Sequence, residues 1–313
     1  MNKLQKIICF ALIFCFLLLC GCEDNNIHSV YSKEITDSEG NTVKIAEAKN
    51  LKVVSCHASL TECFILAGGK PVGVTRDVIE ERHLLAAEDA EIIGDVKNIN
   101  LETLISLEPD FVILSSDIAT HKKLAENLEQ LSVPYGFFRE DTFEDYMFVM
   151  QGFCNLTGRD DLFLKNVTEV EKRIKQITSK IPENSEKTAI LARTFSTGIK
   201  AKTDDNPAGV ILKDLKVKNL AEDYPSSLES LSLEALIKCN PDFILTYPMG
   251  DEKAAKSYLN STLESSPAFN SLSAVKTGNY HLLPKQLFQY KPNNRWDESY
   301  EYLAKIIYPE IFK

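Results

Sequence analysis

Short apolar runs alternate with amphipathic stretches along the chain. Residues 34–45 alternate around Gly40, which predicts a hairpin, and residues 51–55 and 71–74 follow as short strands. Strands that alternate with helices are typical of proteins whose sheets are mostly parallel. We therefore expect an α/β fold.

The stretch between those two strands has the pattern of a helix start. Ser59 and Glu62 stand three positions apart, which is the spacing of a capping box. The pattern predicts a helix that begins at Ser59 and ends near Gly68.

A repeated block indicates the domain organisation. Residues 101–113 contain Leu-Glu, Leu-Ile and Pro-Asp-Phe followed by two aliphatic residues, and residues 233–245 repeat this order at the same spacing. Each copy predicts a short helix, a Pro-Asp turn and a buried strand, with Asn100 and Ser232 as the helix N-caps. Two copies so far apart predict two similar lobes rather than one continuous sheet.

A long helical stretch separates the two copies. Thr142 is the predicted cap of a first segment that Gly158 ends, and apolar residues then recur every three or four positions over residues 160–181. This second segment predicts an amphipathic helix of roughly 30 Å, which Pro182 ends. Its place between the lobes favours a rigid connector over an ordinary core helix.

These patterns divide the chain into five parts. We predict a signal peptide over residues 1–21, a tether over 22–33, an N-terminal lobe over 34–141, a connecting helical segment over 142–182 and a C-terminal lobe over 183–313.

The first residues have the pattern of a lipoprotein leader. Lys3 and Lys6 precede an uncharged apolar run over residues 7–20, which is too short to span a bilayer in the mature protein. The run leads into Gly21 and Cys22 in an arrangement that resembles a lipobox. Cys22 is therefore the predicted lipidated N-terminus, and we expect an extracytoplasmic protein anchored to the cell membrane. The alternative is an ordinary secretory signal with incidental cysteines.

Charge and cysteine usage narrow the classes of partner. The net charge of -10 argues against nucleic-acid binding, which requires clustered positive charge. The cysteines that follow the leader form no CxxC pair, so buried free thiols are the favoured interpretation and a disulfide stays open; they are Cys56, Cys63, Cys154 and Cys239. The five histidines show no clustered spacing, so direct capture of a bare metal ion is disfavoured.

Ligands of α/β proteins bind outside the carboxyl ends of the strands, so residues that follow each predicted strand are the candidate ligand-binding residues. They are His57, Ser59, Arg76, Ser115, Arg193, Phe195, Tyr247, Met249 and Tyr290. The two arginines suit an anionic chelate, or else form salt bridges at the rim. The aromatic residues suit a macrocycle or an aromatic chelator, or else pack in the core.

His57 has a second possible role. It lies at a helix start in the expected cleft, and Met249 occupies the matching place in the other lobe. This pair could ligate haem iron, or His57 alone a corrinoid cobalt, at the axial positions. Hydrogen bonding is the more common role of a loop histidine.

The order of these motifs resembles the substrate-binding proteins of ATP-driven importers for iron-siderophores, haem and cobalamin. The resemblance covers most of the mature chain, through residues 53–74, 94–113, 156–158, 272–280 and 296–309. It implies two α/β lobes joined by one rigid helix, with the ligand in the cleft between them. It also implies that Glu102 and Glu234 dock on arginines of the permease, although each also suits the first turn of its helix.

We therefore expect a monomeric substrate-binding lipoprotein, not an enzyme, that carries a ferric chelate to an ABC permease and its ATPase and has no cofactor of its own. Haem or cobalamin is the alternative cargo. An exported enzyme or a structural surface lipoprotein is the alternative class, but the sequence contains no GxSxG, HExxH or GxxxxGK[ST] motif.

Overall fold

The computed structural model describes residues 31–46 and 50–312. The predicted signal peptide, Cys22 and most of the predicted tether lie outside the described residues. Within the described ranges, no helix combines the length and the apolar character that a membrane span needs.

The N-terminal lobe begins with the expected hairpin and continues into a parallel sheet. Its strands are β1 (Tyr31–Thr36), β2 (Thr42–Ala46), β3 (Val53–Ser55), β4 (Pro71–Val74), β5 (Glu91–Ile92), β6 (Gly94–Asp95), β7 (Asn98–Ile99), β8 (Phe111–Ser115) and β9 (Tyr135–Phe138). β1 and β2 are antiparallel, so the hairpin is confirmed, and its first strand begins three residues before the predicted lobe boundary at 34. Five strands form a parallel sheet in the order β5-β4-β3-β8-β9. β8 is buried along its whole length, as expected of a parallel strand covered on both faces.

Helices connect these strands and continue toward the second lobe. They are α1 (Ala58–Leu66), α2 (Arg76–Glu80), α3 (Leu101–Ser106), α4 (Ala119–Gln130), α5 (Phe143–Thr157), α6 (Asp160–Phe163) and α7 (Glu169–Thr178). Thr142 caps α5 in a capping box with Asp145, and Gly158 ends it in a left-handed conformation, so both predicted ends of α5 are confirmed.

The predicted start of α1 is wrong. The N-cap is His57, whose side chain makes no capping hydrogen bond, and Ser59 already lies in the first helical turn. The Ser59 hydroxyl donates instead to the side chain of Asn293, at 3.3 Å. A partner 234 residues away in sequence therefore replaces the local capping box.

The C-terminal lobe is built around one central strand. Its strands are β10 (Thr188–Phe195), β11 (Gly198–Ala201), β12 (Lys218–Asn219), β13 (Phe243–Pro248) and β14 (Tyr280–Leu282). β10 pairs in parallel with β13 and with β12, and in antiparallel with β11, while β13 pairs in parallel with β14. The helices are α8 (Pro207–Asp214), α9 (Ser226–Glu229), α10 (Leu233–Cys239), α11 (Glu252–Leu259), α12 (Pro267–Asn270), α13 (Ser273–Lys276), α14 (Lys285–Phe288) and α15 (Trp296–Ile307).

The sequence repeat corresponds to a structural repeat. Helix α3 leads into β8 and helix α10 leads into β13, and the side chains of Asn100 and Ser232 cap the two helices as predicted. The aspartate of each Pro-Asp turn accepts a backbone N–H at the start of the neighbouring strand. Asp110 accepts from Lys52 at 2.8 Å, and Asp242 accepts from Thr188 at 2.8 Å.

The connector between the lobes is not one regular helix. A π-helical turn over Leu164–Thr168 separates α6 from α7, so the expectation of an uninterrupted α-helix over 160–181 is wrong. The turn contains a buried polar residue, Asn166, whose side chain donates to the carbonyl of Leu66 at 2.9 Å. The Asn166 carbonyl accepts the hydroxyl of Tyr146 at 3.1 Å. These two bonds satisfy the polar groups that the widened turn brings into the core.

One hydrophobic core extends from lobe to lobe. A single cluster of buried residues includes side chains from α1, α5 and α7 on the N-terminal side and from β10, α8 and α15 on the C-terminal side. The outer face of each sheet has a separate cluster. Because dense apolar packing resists deformation, this shared core holds the two lobes in one relative position.

Candidate functional site

One segment passes the carboxyl ends of both sheets, and we call residues 284–295 the crossing segment. Near its start, Lys285 donates to the carbonyl of Gly250, just beyond β13, at 3.1 Å, and lies 3.6 Å from Glu81 of the N-terminal lobe. Further along, Lys291 pairs with Asp141, which follows β9, and lies 3.9 Å from Asp117, which follows β8. The carboxyl ends of both sheets therefore adjoin one segment, which defines the cleft between the lobes.

Asn293 attaches the crossing segment to helix α1. Its side-chain amide donates to Glu62 Oε2 at 2.8 Å and to the Ser59 carbonyl at 3.3 Å. Its carbonyl oxygen accepts from the Ser59 hydroxyl and from Cys63 Sγ. Asn293 is fully buried and has a positive φ of 53°, a conformation that Asn tolerates better than most residues. Ser59 thus contributes to contact between the lobes.

Tyr290 also bridges the lobes. Its hydroxyl donates to Glu81 at 3.4 Å, and the cationic groups of Arg82 and Lys285 lie 4.8 and 5.1 Å from its ring centroid. Arg82 in turn pairs with Glu62. The ring of Tyr290, which was predicted to contact a ligand, is thus engaged by two of the protein's own cations.

His57 and a glutamate that the sequence analysis missed lie together at the N-terminal lobe's edge of the cleft. Glu140 follows β9, is 2% exposed, and has no hydrogen bond to either carboxylate oxygen among the described residues. His57 Nδ1 is buried 3.8 Å from Glu140 Oε1. The side chain of His57 is 21% exposed, and because Nδ1 is buried, other atoms of the side chain provide that surface.

Burial shifts the pKa of both groups toward their neutral forms. It raises the pKa of Glu140 to about 7, against the opposing field of Lys291. It lowers the pKa of His57 to about 3, and the positive charges of Arg82 and Lys291 add to that shift. His57 is therefore a neutral imidazole at physiological pH.

A signal for Glu140 was present in the sequence. The run Tyr-Gly-Phe-Phe over Tyr135–Phe138 forms β9, and Arg-Glu-Asp follows it directly. The rule that nominated the residues after the other strands also applies here.

The remaining N-terminal candidates have structural partners. Arg76 pairs with Asp95 at 3.2 Å and with Glu80 at 3.6 Å, which is the rim salt bridge considered as the alternative. Ser115 is buried, and its hydroxyl accepts the backbone N–H of Asp117 at 3.2 Å. The contacts of both side chains are therefore with the protein itself, and neither contact indicates a ligand.

The C-terminal candidates form a different edge. Tyr247 is fully buried and donates to Asn206 at 3.3 Å, so its ring is core packing and not a ligand wall. The guanidinium of Arg193 lies 5.4 Å from the centroid of that ring. Phe195 is half-buried at the end of β10, and Met249 is 37% exposed with its sulfur 3.2 Å from Gln289 Nε2.

Two predictions concern residues away from the cleft. Glu102 and Glu234 are both exposed in the first turns of α3 and α10, so both are available to a partner. The cysteines of the described chain are all free: Cys56, Cys63 and Cys154 are buried, and Cys239 is half-buried. No group of three or more histidine, cysteine or acidic side chains among the described residues is arranged to hold a metal ion.

Comparison with known proteins identifies the family of this chain. The family model described as periplasmic binding protein matches residues 53–287. The chain is 26% identical to the uncharacterized ABC transporter substrate-binding lipoprotein YvrC of Bacillus subtilis, over 97% of each chain.

Solved structures show the same fold. The triscatecholate siderophore-binding protein FeuA of Bacillus subtilis, complexed with ferri-bacillibactin, matches with a TM-score of 0.67 at 20% identity, over 88% of this chain and 96% of that chain. Staphylococcus aureus IsdE complexed with heme matches with a TM-score of 0.67 at 18% identity, over 82% of this chain and 99% of that chain.

Proposed function

Because the chain belongs to the periplasmic binding protein family, we propose that it is the substrate-binding lipoprotein of an ABC importer and that its cargo is a ferric chelate of the siderophore type. The observation that supports this most directly is the crossing segment, which contacts residues beyond β13 in one lobe and beyond β8 and β9 in the other. Both sets of strand ends therefore line one cleft, the place where α/β proteins bind ligands.

Its relatives support a chelate as cargo. The relative YvrC is named as an ABC transporter substrate-binding lipoprotein, and FeuA has a ferric siderophore in its structure. The continuous core between the lobes permits little closure of the lobes, which suits a bulky, preformed complex.

The proposal extends to partners and location. Glu102 and Glu234 occupy equivalent exposed positions of the structural repeat, which suits docking on paired cationic sites of a permease, with its ATPase on the far side of the membrane. Cys22, outside the described residues, would provide the lipid anchor at the extracytoplasmic face. Reversing both glutamates to lysine should abolish uptake and leave cargo affinity unchanged; normal uptake by the double variant would contradict this role.

The cargo is tested by thermal unfolding of the mature chain, expressed from Glu23 onward, with and without ligands. The panel consists of ferric catecholates, ferric hydroxamates, ferric citrate, haem, cobalamins and free metal ions. A ligand at 100 times its dissociation constant stabilises the folded state by about 2.7 kcal/mol, which raises the Tm of a protein of this size by about 4 °C.

The controls decide between binding and adventitious effects. The iron-free chelators must give no comparable shift, and isothermal titration must confirm a single saturable site. A folded protein that responds to no ferric chelate in the panel would overturn the proposed cargo.

Haem is a second candidate because of the contacts of His57. Nδ1 of this ring is buried against Glu140, and no hydrogen bond engages Nε2 within the described part of the chain. Metal-ligating histidines commonly direct their second nitrogen at a carboxylate in this way. Haem bound through His57 should give a Soret band that shifts in the His57→Ala variant and not in the matched His281→Ala control.

A further inference from the structure

The basic side chains near the cleft are already engaged by the protein's own acids. On the N-terminal side, Arg76 pairs with Asp95 and Glu80, and Arg139 lies 3.7 Å from Asp145. In the crossing segment, Lys285 lies 3.6 Å from Glu81 and Lys291 pairs with Asp141. Among the basic side chains just named and Arg193, only Arg193 has no salt bridge to a described residue. At the N-terminal edge and in the crossing segment, little positive charge is therefore left for an anionic cargo, whereas the buried Nε of Arg193, at the C-terminal edge, has no hydrogen-bond partner among the described residues.

Two acids at the N-terminal edge, Glu140 and Asp77, are not balanced in this way. Both carboxylate oxygens of Glu140 are buried and make no hydrogen bond of standard length to a described residue, although the Ser59 hydroxyl lies close to them, and Oδ1 of Asp77 is buried in the same condition. A carboxylate removed from water and left without a donor is costly unless a cation or an N–H group meets it. Glu140 is 98% buried, being 2% exposed, and no cationic side chain lies within salt-bridge distance of it in the described chain.

The ring of His57 adjoins Glu140 and is the more exposed of the two side chains. The buried Nδ1 faces Glu140 at 3.8 Å, and 21% of the side chain is exposed. A proton on Nδ1 would be directed at the carboxylate, which leaves the lone pair of Nε2 as an acceptor. The pair thus combines an acceptor, Nε2 of His57, with a carboxylate next to the other nitrogen of the same ring.

We propose that His57 and Glu140 form a subsite that receives an N–H group of the cargo, such as a protonated amine, so that the chelate carried is cationic or neutral rather than anionic. This inference rests on the function proposed above and names the class of chelate. It also replaces the expectation that Arg76 and Arg193 together select an anionic chelate, since Arg76 is engaged by Asp95 and Glu80.

The test uses three ferric complexes of one linear tris-hydroxamate that differ only at the chain end: a free ammonium, its N-acetyl derivative and its N-succinyl derivative. Their charges differ by one unit at each step, while the iron centre is unchanged. We expect the affinity to fall in that order, with the cationic complex about tenfold or more tighter than the anionic one. A ferric tris-catecholate and ferric citrate, both anionic, complete the set and should bind more weakly than the cationic complex.

Two variants test whether Glu140 is the origin of the preference for cationic complexes. Glu140→Gln keeps the size of the side chain and removes its charge, so the ratio between cationic and anionic complexes should fall to about threefold or less. The matched control is Glu108→Gln, at the amino end of the same sheet, where Glu108 pairs with Lys52 on the surface; it should retain the wild-type ratio. Circular dichroism and thermal unfolding establish whether each variant is folded. If Glu140→Gln does not fold, the order of affinity of the wild-type protein for the cationic, neutral and anionic complexes still tests the proposed charge preference.

Three outcomes would overturn the inference. Tighter binding of the anionic complexes would overturn it and leave the proposed importer function intact. An unchanged ratio in folded Glu140→Gln would remove Glu140 from the subsite. No binding by any ferric chelate, at any charge, would overturn both this inference and the proposed cargo.

Discussion

The two lobes share one structural block but present different side chains to the cleft. The N-terminal edge consists of His57, Glu140 and carboxylates that neutralise its arginines, whereas the C-terminal edge consists of Arg193, Phe195 and Met249. The shared block satisfies backbone groups, a requirement that is the same in both lobes. The edge side chains are not needed for those backbone hydrogen bonds, so their chemistry can differ between the lobes and follow the ligand.

The first test of this comparison concerns the core that the lobes share. Trp296 is fully buried at the junction, with its ring centroid 6.2 Å from that of Phe143 and 6.4 Å from that of Tyr300. Trp296→Ala should lower the free energy of unfolding by about 3–5 kcal/mol. Because the core is continuous, calorimetry should show one transition for wild type and variant.

The matched control for that variant is Leu85→Ala, since Leu85 is 73% exposed. Its free energy of unfolding should change by less than about 0.5 kcal/mol. Two separate calorimetric transitions in the wild-type protein would show that the lobes fold independently, and would contradict a shared core.

The second test examines the buried pair at the N-terminal edge through the pH dependence of stability. Burial gives Glu140 a folded pKa of about 7, above the ordinary glutamate value of 4.5, so the folded state favours its protonated form. The stability it contributes is fully present below pH 4.5 and is lost as pH rises through 7. Glu140→Gln should therefore be more stable than wild type at pH 8, by up to about 3 kcal/mol, and about equal to it at pH 4.

His57 has the opposite effect on how stability changes with pH, so its contribution must be distinguished from that of Glu140. Its folded pKa of about 3 lies below the ordinary histidine value of 6.5, so the stability it contributes is present above pH 6.5 and is lost as pH falls through 3. The measurement is denaturant unfolding at pH 4, 6 and 8 of wild type, Glu140→Gln and an exposed control, Glu310→Gln. Because all three proteins contain His57, the difference in stability between wild type and Glu140→Gln isolates the contribution of Glu140. Equal stability of wild type and Glu140→Gln at pH 8 would show that Glu140 is not held in an unfavourable ionised state.

Local patterns in the sequence predicted local structure correctly. The caps at Asn100, Ser232 and Thr142 are confirmed, because a cap depends on residues three positions away. Ser59 and Glu62 had the same spacing and were predicted wrongly, because Asn293 takes both side chains. A contact across 230 residues or more leaves no periodic trace in a single sequence.

The site was predicted less well than the fold for the same reason. His57 and Arg76 were nominated by their positions after strands, and the structure places both at the expected edge. Whether a residue there is engaged, as Arg76 is by Asp95, or left without a partner, as Glu140 is, depends on side chains from other elements. The π-helical turn around Asn166 was missed because apolar residues still recur every three or four positions on both sides of it.

The third test compares the two copies of the block directly. Asp110 accepts one backbone N–H and is half-buried, whereas Asp242 accepts both the backbone N–H and the hydroxyl of Thr188 but is exposed. Removing a charged acceptor costs about 1–3 kcal/mol, and burial should decide the order. Asp110→Ala should destabilise by about 2 kcal/mol and Asp242→Ala by about 1 kcal/mol, measured by urea unfolding. A larger loss at Asp242 would mean that the second bond outweighs burial.

The smallest effect is expected at Arg76, and it bears on whether the N-terminal edge is basic at all. Arg76 is about half exposed, and its partners Glu80 and Asp95 are more exposed still, so its salt bridges are worth less than about 1 kcal/mol. Arg76→Gln should therefore leave the free energy of unfolding nearly unchanged and alter cargo affinity by about twofold or less. Arg193→Gln, at the opposite edge, is the comparison variant, because Arg193 has no salt bridge to a described residue to restrain it. If titration calorimetry instead shows a tenfold loss for Arg76→Gln, Arg76 must leave Asp95 to meet the cargo, and the two edges are then equally basic when the ligand is bound.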